Sequence, residues 1–479
     1  MSIKALQPTA LWSHFADLNA VPRPSKQEER VRQFVKGFGE SLGLETTVDE
    51  VGNVLILKPA TAGMEDRPIV LLQGHIDMVH QKNADTNFDF NTEGIRMFIN
   101  GDWVEADGTT LGADNGIGVA AIMAVLSDTG AIAHPPLEAL FTIDEETGMT
   151  GAIGLKHGVL KAKYMLNLDT EDDRELTIGC AGGIDVTAHG RYKQEGSRTG
   201  GKGLRLTVRG LSGGHSGMDI IKGLGNANKL LTRLLLIAED TGFSVSKIDG
   251  GGLRNAIPRE AFAELVVNDV EVFEEAIASA KTTIQHEYAV TDPNLEIVVE
   301  AMDAPTTILS GIFQKQILRA LQATPNGIWR TSPDVDGLVQ TSNNLARVRV
   351  SDGTFEVLCL TRSSVDTEKY DEVAAIRSVF ELIGAEISTD GTYPGWTPLP
   401  SSTLLTTMRD LYVKRFDEQP HVNACHAGLE CGIIGEKNPG MEMISFGPNI
   451  TGAHSPDERV QISSVQKFWG YFVEVLGAL

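Results

Sequence analysis

The sequence predicts an α/β protein that carries an inserted α+β domain, and three observations support this fold class. Short apolar runs alternate with helical patterns toward both ends of the 479-residue chain. The middle of the chain has the β-α-β-β-α-β order of a ferredoxin-like unit. A chain of this length also exceeds one ordinary hydrophobic core, so two domains or more are expected.

The two ends of the chain are predicted to form one α/β domain. Residues 26–42 carry Val31, Phe34, Val35 and Phe38 at helical spacing. A Gly-rich helical stretch, GIGVAAIMAVLSD, lies between the second and third of four apolar runs, which are NVLILKP, PIVLLQG, LEALFTI and YMLNL. Runs that are apolar on both faces fit central strands covered by helices. Near the C-terminus, MEMISFG predicts another buried strand and SSVQKFWGYFVEVL a final amphipathic helix.

The middle of the chain alternates in polarity, as a one-sided antiparallel sheet does. After a Gly-rich turn at 179–183, six segments follow the ferredoxin-like order: GLRLTVRG, NKLLTRLLLIAED, FSVSKID, AFAELVV, VEVFEEAIASAKTTI and LEIVVEAM. A second, less complete unit runs from FQKQILRALQA through LARVRVS and TFEVLCLTR to DEVAAIRSVFELIG. The predicted insert is 184–393, and the outer domain is 1–183 with 394–479. Its re-entry point is expected in the turn-rich TDGTYPGWTPLPSS.

Composition restricts the classes of partner. The formal net charge of −23 argues against nucleic acid and anionic membranes, because both need basic patches. No apolar run approaches about 18 residues, so no membrane span is expected. There is no CxxC pair and no signal-peptide pattern, which predicts reduced thiols in a cytoplasmic protein. The cysteines concerned are Cys180, Cys359, Cys425 and Cys431.

Five polar side chains stand where buried strands are predicted to end. They are His75, Asp114, Glu146, Asp169 and His454. Ligands of open α/β sheets bind beyond the carboxyl ends of the strands. Burying carboxylates and imidazoles without partners is costly, so a shared role is expected at that edge. A nitrogen and oxygen set without cysteine suits zinc, manganese or cobalt, and the sequence therefore predicts a metal site.

Each of these residues also has an ordinary structural explanation. Asp114 can be a helix N-cap, residues 144–146 a solvated turn, and His454 a loop histidine. The pair His75 and Asp77 matches a pattern that is common by chance. With His75 on a metal, however, Asp77 can hold the imidazole through its other nitrogen. The equivalent topological positions of all these pieces in one domain favour the metal site.

Glu145 and Glu146 are adjacent, so their side chains point in different directions and suit different roles. Glu146 suits metal coordination. Glu145 suits a general base that takes a proton from a metal-activated water and delivers it to the leaving amine. No Ser–His–Asp or Cys–His nucleophile stands out beside them, so direct attack by water is the simpler mechanism.

The motifs GHIDMV, GADNGIG, DEETGM, NLDTE, GGHSGMD and AHSPDE together resemble the metal-dependent exopeptidases of the M20 family. The resemblance runs from about residue 10 to the end of the chain and is greatest to the aminoacyl-histidine dipeptidases. It implies a phosphorylase/hydrolase-like metallopeptidase catalytic domain with an inserted lid of two ferredoxin-like units. It also implies two Zn²⁺ per subunit, bridged by Asp114, with Co²⁺ or Mn²⁺ as substitutes. One metal would bind His75 and Asp169, and the other Glu146 and His454.

The resemblance gives roles to residues outside the ligand set. Asp77 becomes the orienting carboxylate and Glu145 the general acid/base. In the lid, His215 is expected to donate a hydrogen bond to the developing oxyanion. Asn255 and Arg362 resemble substrate contacts, and the planar fork of Arg362 suits the free carboxylate of a dipeptide. The plain alternatives are a turn histidine for His215 and an ordinary surface ion pair for Arg362.

The function implied by the resemblance is a cytoplasmic dinuclear-zinc dipeptidase for Xaa-His substrates, including β-alanyl-histidine (carnosine), that uses a metal-bridging water. A broad dipeptidase, an N-acyl amino-acid deacylase and a non-catalytic peptide-binding protein stay as alternatives. Glu145 distinguishes the enzymes from the binding protein, because a non-catalytic protein needs no proton-carrying base beside metal ligands. His426 and Glu430 are candidates to line the pocket, or are packing residues. The large insert favours His215 acting within its own chain, and a homodimer through another surface stays open.

Overall fold

The computed structural model describes residues 2–197 and 199–479, and the chain divides into two compact units. Unit 1 contains Met1–Gly179, Trp396–Ala424 and Leu429–Leu479, and unit 2 contains Cys180–Gly395 and Cys425–Gly428. Within the described ranges, no helix combines the length and apolar content that crossing a membrane requires.

The N-terminal part of unit 1 begins with a 3-10 turn and continues as alternating helices and strands. After the 3-10 helix Ile3–Ala5 come α1 (Thr9–Asn19), α2 (Glu29–Ser41), β1 (Glu45–Val48), β2 (Val54–Lys58), β3 (Val70–His75), β4 (Met97–Asn100), β5 (Trp103–Ala106), α3 (Ala113–Ser127), β6 (Leu137–Thr142), α4 (Glu145–Gly148), α5 (Thr150–Gly154), β7 (Tyr164–Asn167) and β8 (Glu175–Cys180). The four apolar runs of this region are confirmed as strands β2, β3, β6 and β7.

Unit 2 contains longer strands and amphipathic helices. Its elements are β9 (Gly182–Arg191), β10 (Gln194–Gly196), β11 (Lys202–Arg209), β12 (Gly214–His215), α6 (Ala227–Ile237), β13 (Ser244–Gly251), β14 (Ala256–Ile257), β15 (Ala261–Val267), α7 (Val270–Glu287), β16 (Glu296–Met302), β17 (Thr307–Leu309), α8 (Gly311–Ala323), β18 (Gly327–Thr331), β19 (Val339–Ser351), β20 (Thr354–Ser363), α9 (Asp366–Glu381) and β21 (Glu386–Tyr393), with 3-10 helices at Ile220–Lys222 and Glu239–Thr241.

The C-terminal part of the chain returns to unit 1 and completes its sheets. The elements are α10 (Thr403–Phe416), β22 (His421–Cys425), α11 (Glu430–Lys437), β23 (Glu442–Ser445), β24 (Ile450–Thr451), β25 (Arg459–Gln461) and α12 (Ile462–Ala478). The segment 425–428, which the predicted division gave to the outer domain, groups with unit 2.

The main sheet of unit 1 has the order β1-β2-β6-β3-β7-β23-β8-β22. Its centre is parallel, since β3 pairs with β6 and with β7, and β7 pairs with β23. Strands β3, β6 and β7 are buried at every position, and α3 is buried along almost its whole length. The carboxyl ends of these parallel strands meet at one edge, where ligands of such sheets bind.

The large sheet of unit 2 has the order β16-β11-β15-β13-β19-β20-β9-β21, with β18 on β19. The first ferredoxin-like unit is β11-α6-β13-β15-α7-β16, as predicted. The second is β9-α8-β19-β20-α9-β21, and the pairing of β13 with β19 joins the two into one sheet. The second unit looks incomplete in sequence because its first strand, β9, precedes the entire first unit. The predicted division after residue 183 falls inside this strand.

Candidate metal centre

All five predicted ligands lie in unit 1, beside the carboxyl ends of its parallel strands. His75 is the last residue of β3, Asp169 follows β7 by two residues, and Glu146 lies in the α4 turn after β6. Asp114 is in the first turn of α3, and His454 lies in the loop between β24 and β25. Residues far apart in the chain thus meet because parallel strands end at a common edge.

The structure brings the five side chains together around Asp114. Asp114 Oδ1 lies 3.2 Å from His75 Nε2, and its Oδ2 lies 3.1 Å from His454 Nε2. His75 Nε2 is 3.6 Å from Asp169 Oδ1, and His454 Nε2 is 3.0 Å from Glu146 Oε2. The two oxygens of Asp114 therefore face two separate pairs, one of His75 with Asp169 and one of Glu146 with His454.

These donors fit a group of two divalent cations. Glu146 Oε1 and Asp169 Oδ1 are buried and have no hydrogen-bond partner among the described residues, which is costly unless something else satisfies them. Ligand atoms of His75, Asp114 and Glu146 lie within 4.8 Å of one another. Imidazole nitrogen with carboxylate oxygen is a donor set that zinc accepts. Cations bound between the pairs would satisfy the orphaned oxygens.

The clustered carboxylates shift the pKa values of their neighbours. Hydrogen bonds with Asp114 and Glu146 raise the pKa of His454 to about 11. Burial lowers the pKa of His75, but Asp169 and Asp114 outweigh burial and raise it well above its ordinary value. Burial also raises the pKa of Asp169 to about 6. The two imidazolium charges thus offset the carboxylates, a role that bound cations would take over.

Asp77 connects the histidine of one pair to the turn that carries the two glutamates. Its Oδ1 lies 3.3 Å from His75 Nδ1, without the alignment of a hydrogen bond. Its carboxylate accepts hydrogen bonds from the backbone N–H of Glu145 at 3.1 Å and of Glu146 at 3.4 Å, and from Ser25 Oγ at 2.8 Å. The residue predicted to orient His75 therefore also holds the start of α4.

Glu145 differs from its neighbour in having no side-chain hydrogen bond within the described ranges. Burial raises the pKa of Glu145 well above its ordinary value, His75 opposes that shift, and Asp169 and Glu430 add to it. The charges of the candidate ligands thus act on the carboxyl group of Glu145, although none of these ligands forms a hydrogen bond with it in the described part of the chain. This arrangement suits a group that exchanges protons rather than one that binds a cation.

Glu458 is a supporting residue that the sequence analysis missed. Its buried carboxylate accepts hydrogen bonds from four successive backbone N–H groups, those of residues 111–114, at 2.7 to 3.2 Å. It therefore fixes the backbone that carries Asp114. The available signal was its place at the end of the AHSPDE motif, four residues after His454.

Glu430, one of the two pocket candidates, belongs to a buried network under the strand ends of unit 1. Its Oε2 accepts hydrogen bonds from Gln73 Nε2 and Thr142 Oγ1, each at 2.6 Å. Gln73 lies on β3 two residues before His75, and Thr142 is the last residue of β6. Burial raises the pKa of Glu430 to about 7. The network ties together the two strands that lead into the candidate metal centre.

The remaining predicted site residues lie in unit 2. His215 Nδ1 accepts hydrogen bonds from the backbone N–H groups of Gly217 at 3.2 Å and Met218 at 3.1 Å. Burial, together with the nearby charge of Arg362, lowers the pKa of His215 and so favours the neutral ring. Because Nδ1 accepts, the proton of the neutral ring belongs on Nε2. Asn255 is exposed, and its backbone carbonyl accepts from the N–H of residue 216 at 2.8 Å.

Arg362 and His426 are buried in unit 2. Arg362 Nη1 donates to the Tyr393 hydroxyl at 2.8 Å, and its Nε has no partner among the described residues. His426 Nε2 lies 2.8 Å from Ser342 Oγ. Burial lowers the pKa of His426 to about 3, and the charges of Arg362 and His215 add to that effect. Three of the predicted polar side chains, His215, Arg362 and His426, are thus close enough within unit 2 to influence one another.

The chain is similar to known peptidases in sequence and in structure. Residues 71–477 match the sequence model of a family that is described as Peptidase family M20/M25/M40. Over 99% of its length the chain is 43% identical to the cytosol non-specific dipeptidase of Escherichia coli (strain K12), of which it covers 98%. Its structure matches that of aminoacylhistidine dipeptidase from Vibrio alginolyticus with a TM-score of 0.96 and 42% identity, covering 100% of this chain and 98% of that one.

A more distant structure shares the fold. Aminopeptidase PepT from Bacillus cereus matches with a TM-score of 0.57 and 14% identity, covering 98% of each chain. These matches confirm the predicted α/β fold class with its inserted domain, and they confirm the predicted resemblance to the M20 family. The match to the family over most of the chain and the 43% identity along its length give one conclusion: this chain belongs to peptidase family M20/M25/M40.

Proposed function

We propose that this peptidase is a dinuclear-zinc dipeptidase that prefers Xaa-His substrates, carnosine included. One observation carries the proposal: the two oxygens of Asp114 face two separate ligand pairs, with the unpaired carboxyl of Glu145 beside them. Two relatives that match along nearly the whole chain support the dipeptidase activity, since one is a non-specific dipeptidase and the other an aminoacylhistidine dipeptidase. Only the second supports the preference for Xaa-His substrates. Unit 1 is the proposed catalytic domain and unit 2 its lid.

The proposed metals are two Zn²⁺, with Co²⁺ or Mn²⁺ as substitutes. When bound, they supply a Lewis acid and an activated water. Asp114 would bridge them, with His75 and Asp169 on one side and Glu146 and His454 on the other. Asp77 keeps the His75 imidazole and the α4 backbone in place, as ligand-orienting carboxylates do.

Glu145 is the proposed proton carrier. It takes the proton released as water attacks the peptide carbonyl and delivers it to the leaving amine. His215 is the proposed donor to the developing oxyanion, because its Nδ1 accepts two backbone N–H groups and leaves the proton on Nε2. Both residues act without binding a cation, so their loss is expected to spare metal content.

The free carboxylate of the dipeptide is the proposed partner of Arg362. Arg362 is 5% exposed, and its guanidinium forms no ion pair with a carboxylate in the described part of the chain, since Asp185, on whose pKa its charge acts, is paired with Arg254. A buried charge without a counter-ion is strongly unfavourable, whereas a guanidinium fork pairs with a carboxylate through two parallel hydrogen bonds. Asn255 is a second proposed substrate contact, by resemblance.

Broad dipeptide specificity is the second candidate, and the non-specific dipeptidase of Escherichia coli favours it. His426 is the residue we propose to test for histidine preference, because its Nδ1 is buried without a partner among the described residues.

The proposed location is the cytoplasm, which the word cytosol in the name of the Escherichia coli relative supports. A homodimer stays open.

The deciding experiment is a substrate panel on protein that has been stripped by a chelator and reloaded with Zn²⁺, Co²⁺ or Mn²⁺. It contains carnosine, α-dipeptides with and without a C-terminal histidine, and an N-acyl amino acid. We expect activity only after reloading and the highest kcat/KM for histidine dipeptides. Reloaded Glu145→Gln is the matched control for contaminating peptidases. Full activity in protein shown by elemental analysis to be metal-free would exclude the metal mechanism, and equal kcat/KM with and without histidine would favour broad specificity.

A further inference from the structure

Arg362 belongs to a row of residues that lie opposite one another across four strands of unit 2. In register, Ser342 of β19 is opposite Arg362 of β20, Arg362 is opposite Gly183 of β9, and Gly183 is opposite Tyr393 of β21. Residues in such a row project from the same face of the sheet. Because adjacent strands are about 4.8 Å apart, the backbones at Arg362 and Tyr393 are separated by about 10 Å.

Glycine at position 183 allows Tyr393 to span that distance. A Cβ at residue 183 would lie 2.7 Å from each of three Tyr393 atoms, namely Cε1, Cζ and the hydroxyl oxygen. The phenol ring therefore lies directly on β9, in the space that any other side chain would fill. From there its hydroxyl reaches Arg362 and accepts a hydrogen bond from Nη1 at 2.8 Å.

The backbone of Tyr393 is held by contacts with helix α9 on its other side. Its backbone carbonyl accepts a hydrogen bond from Lys369 Nζ at 2.7 Å, and the same ammonium group donates to Asp366 Oδ1 at 2.8 Å. Lys369 is 1% exposed. Burial raises the pKa of Tyr393, so its hydroxyl stays neutral beside the guanidinium. The ring is thus held in place without any contribution from a ligand.

Few other contacts within unit 2 fix the guanidinium of Arg362. Its Nε has no partner among the described residues. The carboxylate closest to this guanidinium in electrostatic effect is Asp185, since burial raises the pKa of Asp185 and the charges of Arg254 and Arg362 oppose that shift. That carboxylate is already paired with Arg254, since its Oδ2 lies 3.2 Å from Arg254 Nε. An arginine side chain has considerable rotamer freedom, and immobilising it costs free energy when a ligand binds. A hydrogen bond that holds the fork in advance would lower that cost.

We propose that Tyr393, seated on Gly183, is a positioning residue that aims the Arg362 fork at the free carboxylate of the dipeptide. The inference rests on the carboxylate role proposed above for Arg362. Tyr393 acts through the arginine and not on the reacting atoms. Its loss should therefore weaken substrate binding and leave the chemical step unchanged.

The test compares Tyr393→Phe with Arg362→Ala in zinc-loaded protein, using a dipeptide and its C-terminal amide. We expect Tyr393→Phe to raise KM for the free dipeptide roughly fivefold to tenfold, the effect of one lost hydrogen bond of ordinary strength, because Tyr393 acts on the substrate only through Arg362. The kcat value should stay within about twofold, as for a loss of uniform binding. KM for the amide should not change. Gly183→Ala, which displaces the ring, should produce the same split.

The matched control is Tyr192→Phe, since the Tyr192 hydroxyl in unit 2 has no hydrogen-bond partner among the described residues. In the Arg362→Ala background, Tyr393→Phe should have no further effect, because interacting residues are not additive. If Arg362→Ala raises KM while Tyr393→Phe behaves like Tyr192→Phe, the positioning role is overturned and the carboxylate role stands. An unchanged KM in Arg362→Ala would instead remove the carboxylate role and this inference with it.

Discussion

Two adjacent glutamates have different surroundings although they share one anchor. The backbone N–H groups of Glu145 and Glu146 both donate to the carboxylate of Asp77. The side chain of Glu146 then turns to His454 Nε2, 3.0 Å away, whereas the carboxyl of Glu145 has no hydrogen-bond partner within the described ranges. Two adjacent residues whose backbones are held by one carboxylate can thus present their side chains in two directions. This is the physical basis for giving them separate roles.

The pair Glu145→Gln and Glu146→Gln tests those roles with the same chemical change at neighbouring positions. Glu145→Gln should retain its metal and lose about 10²- to 10⁴-fold in kcat, the usual cost of a missing general acid–base group. Glu146→Gln should lose metal, because an amide is a weaker ligand than a carboxylate. Steady-state kinetics and elemental analysis of both proteins measure this. The reverse pattern would exchange the two assignments.

At the scale of elements, helix α9 carries a buried acid outside the metal centre. Glu372 is 0% exposed, and neither of its carboxyl oxygens has a hydrogen-bond partner among the described residues. Burial, with a smaller effect of Asp371, raises its pKa from 4.5 to about 8. Between these two values the folded chain keeps a proton on Glu372 that the unfolded chain has released. The folded state is therefore penalised as pH rises through this window.

We expect this acid to make the stability of unit 2 fall between pH 4.5 and about 8. The free energy of unfolding should decrease by up to about 1.4 kcal/mol per pH unit, and Glu372→Gln should remove that slope. Denaturant unfolding of metal-free protein across this pH range measures it. The exposed neighbour provides the control, since Asp371→Asn should keep most of the slope because burial is the larger cause. An identical slope in wild type and Glu372→Gln would contradict the prediction.

At the scale of the whole molecule, the residues proposed for function are divided between the two units. Unit 1 holds the five proposed ligands, Asp77 and Glu145, whereas unit 2 holds His215, Asn255 and Arg362. The chain passes from one unit to the other at Gly179–Cys180 and Gly395–Trp396, and again on either side of Cys425–Gly428. Activity that needs both sets can in principle draw them from one chain or from two.

Mixing two inactive proteins distinguishes these possibilities. Glu145→Gln lacks the proton carrier and His215→Ala lacks the oxyanion donor, whose loss typically lowers kcat by about 10²- to 10³-fold. Both proteins should retain their metals, because neither residue is a proposed ligand. If His215 acts within its own chain, the mixture should be as inactive as its components. Recovery of activity on mixing, measured with each protein alone as control, would mean that one chain completes the site of another.

Local pattern in the sequence was sufficient for the central strands of unit 1 and for proposing the candidate ligands near their ends. The apolar runs that become β2, β3, β6 and β7 are visible because burial keeps these strands mostly apolar, and β3, β6 and β7 are buried on both faces. His75 and Asp169 could be proposed because each directly follows such a run. Once the runs are strands of one parallel sheet, their ends must meet, so this much of the site follows from local sequence.

Only the tertiary structure decided which strands and loops become neighbours, and which residues lie opposite one another across them. That Glu458 would hold the backbone at 111–114, and that Tyr393 would lie on Gly183 to reach Arg362, depends on which distant strands and loops become neighbours. Strand β9 likewise joins the second ferredoxin-like unit across the whole of the first. A one-residue shift in pairing would turn every side chain of a strand to the opposite face. Register is selected by the summed burial of the entire sheet, and no short segment of the sequence contains that information.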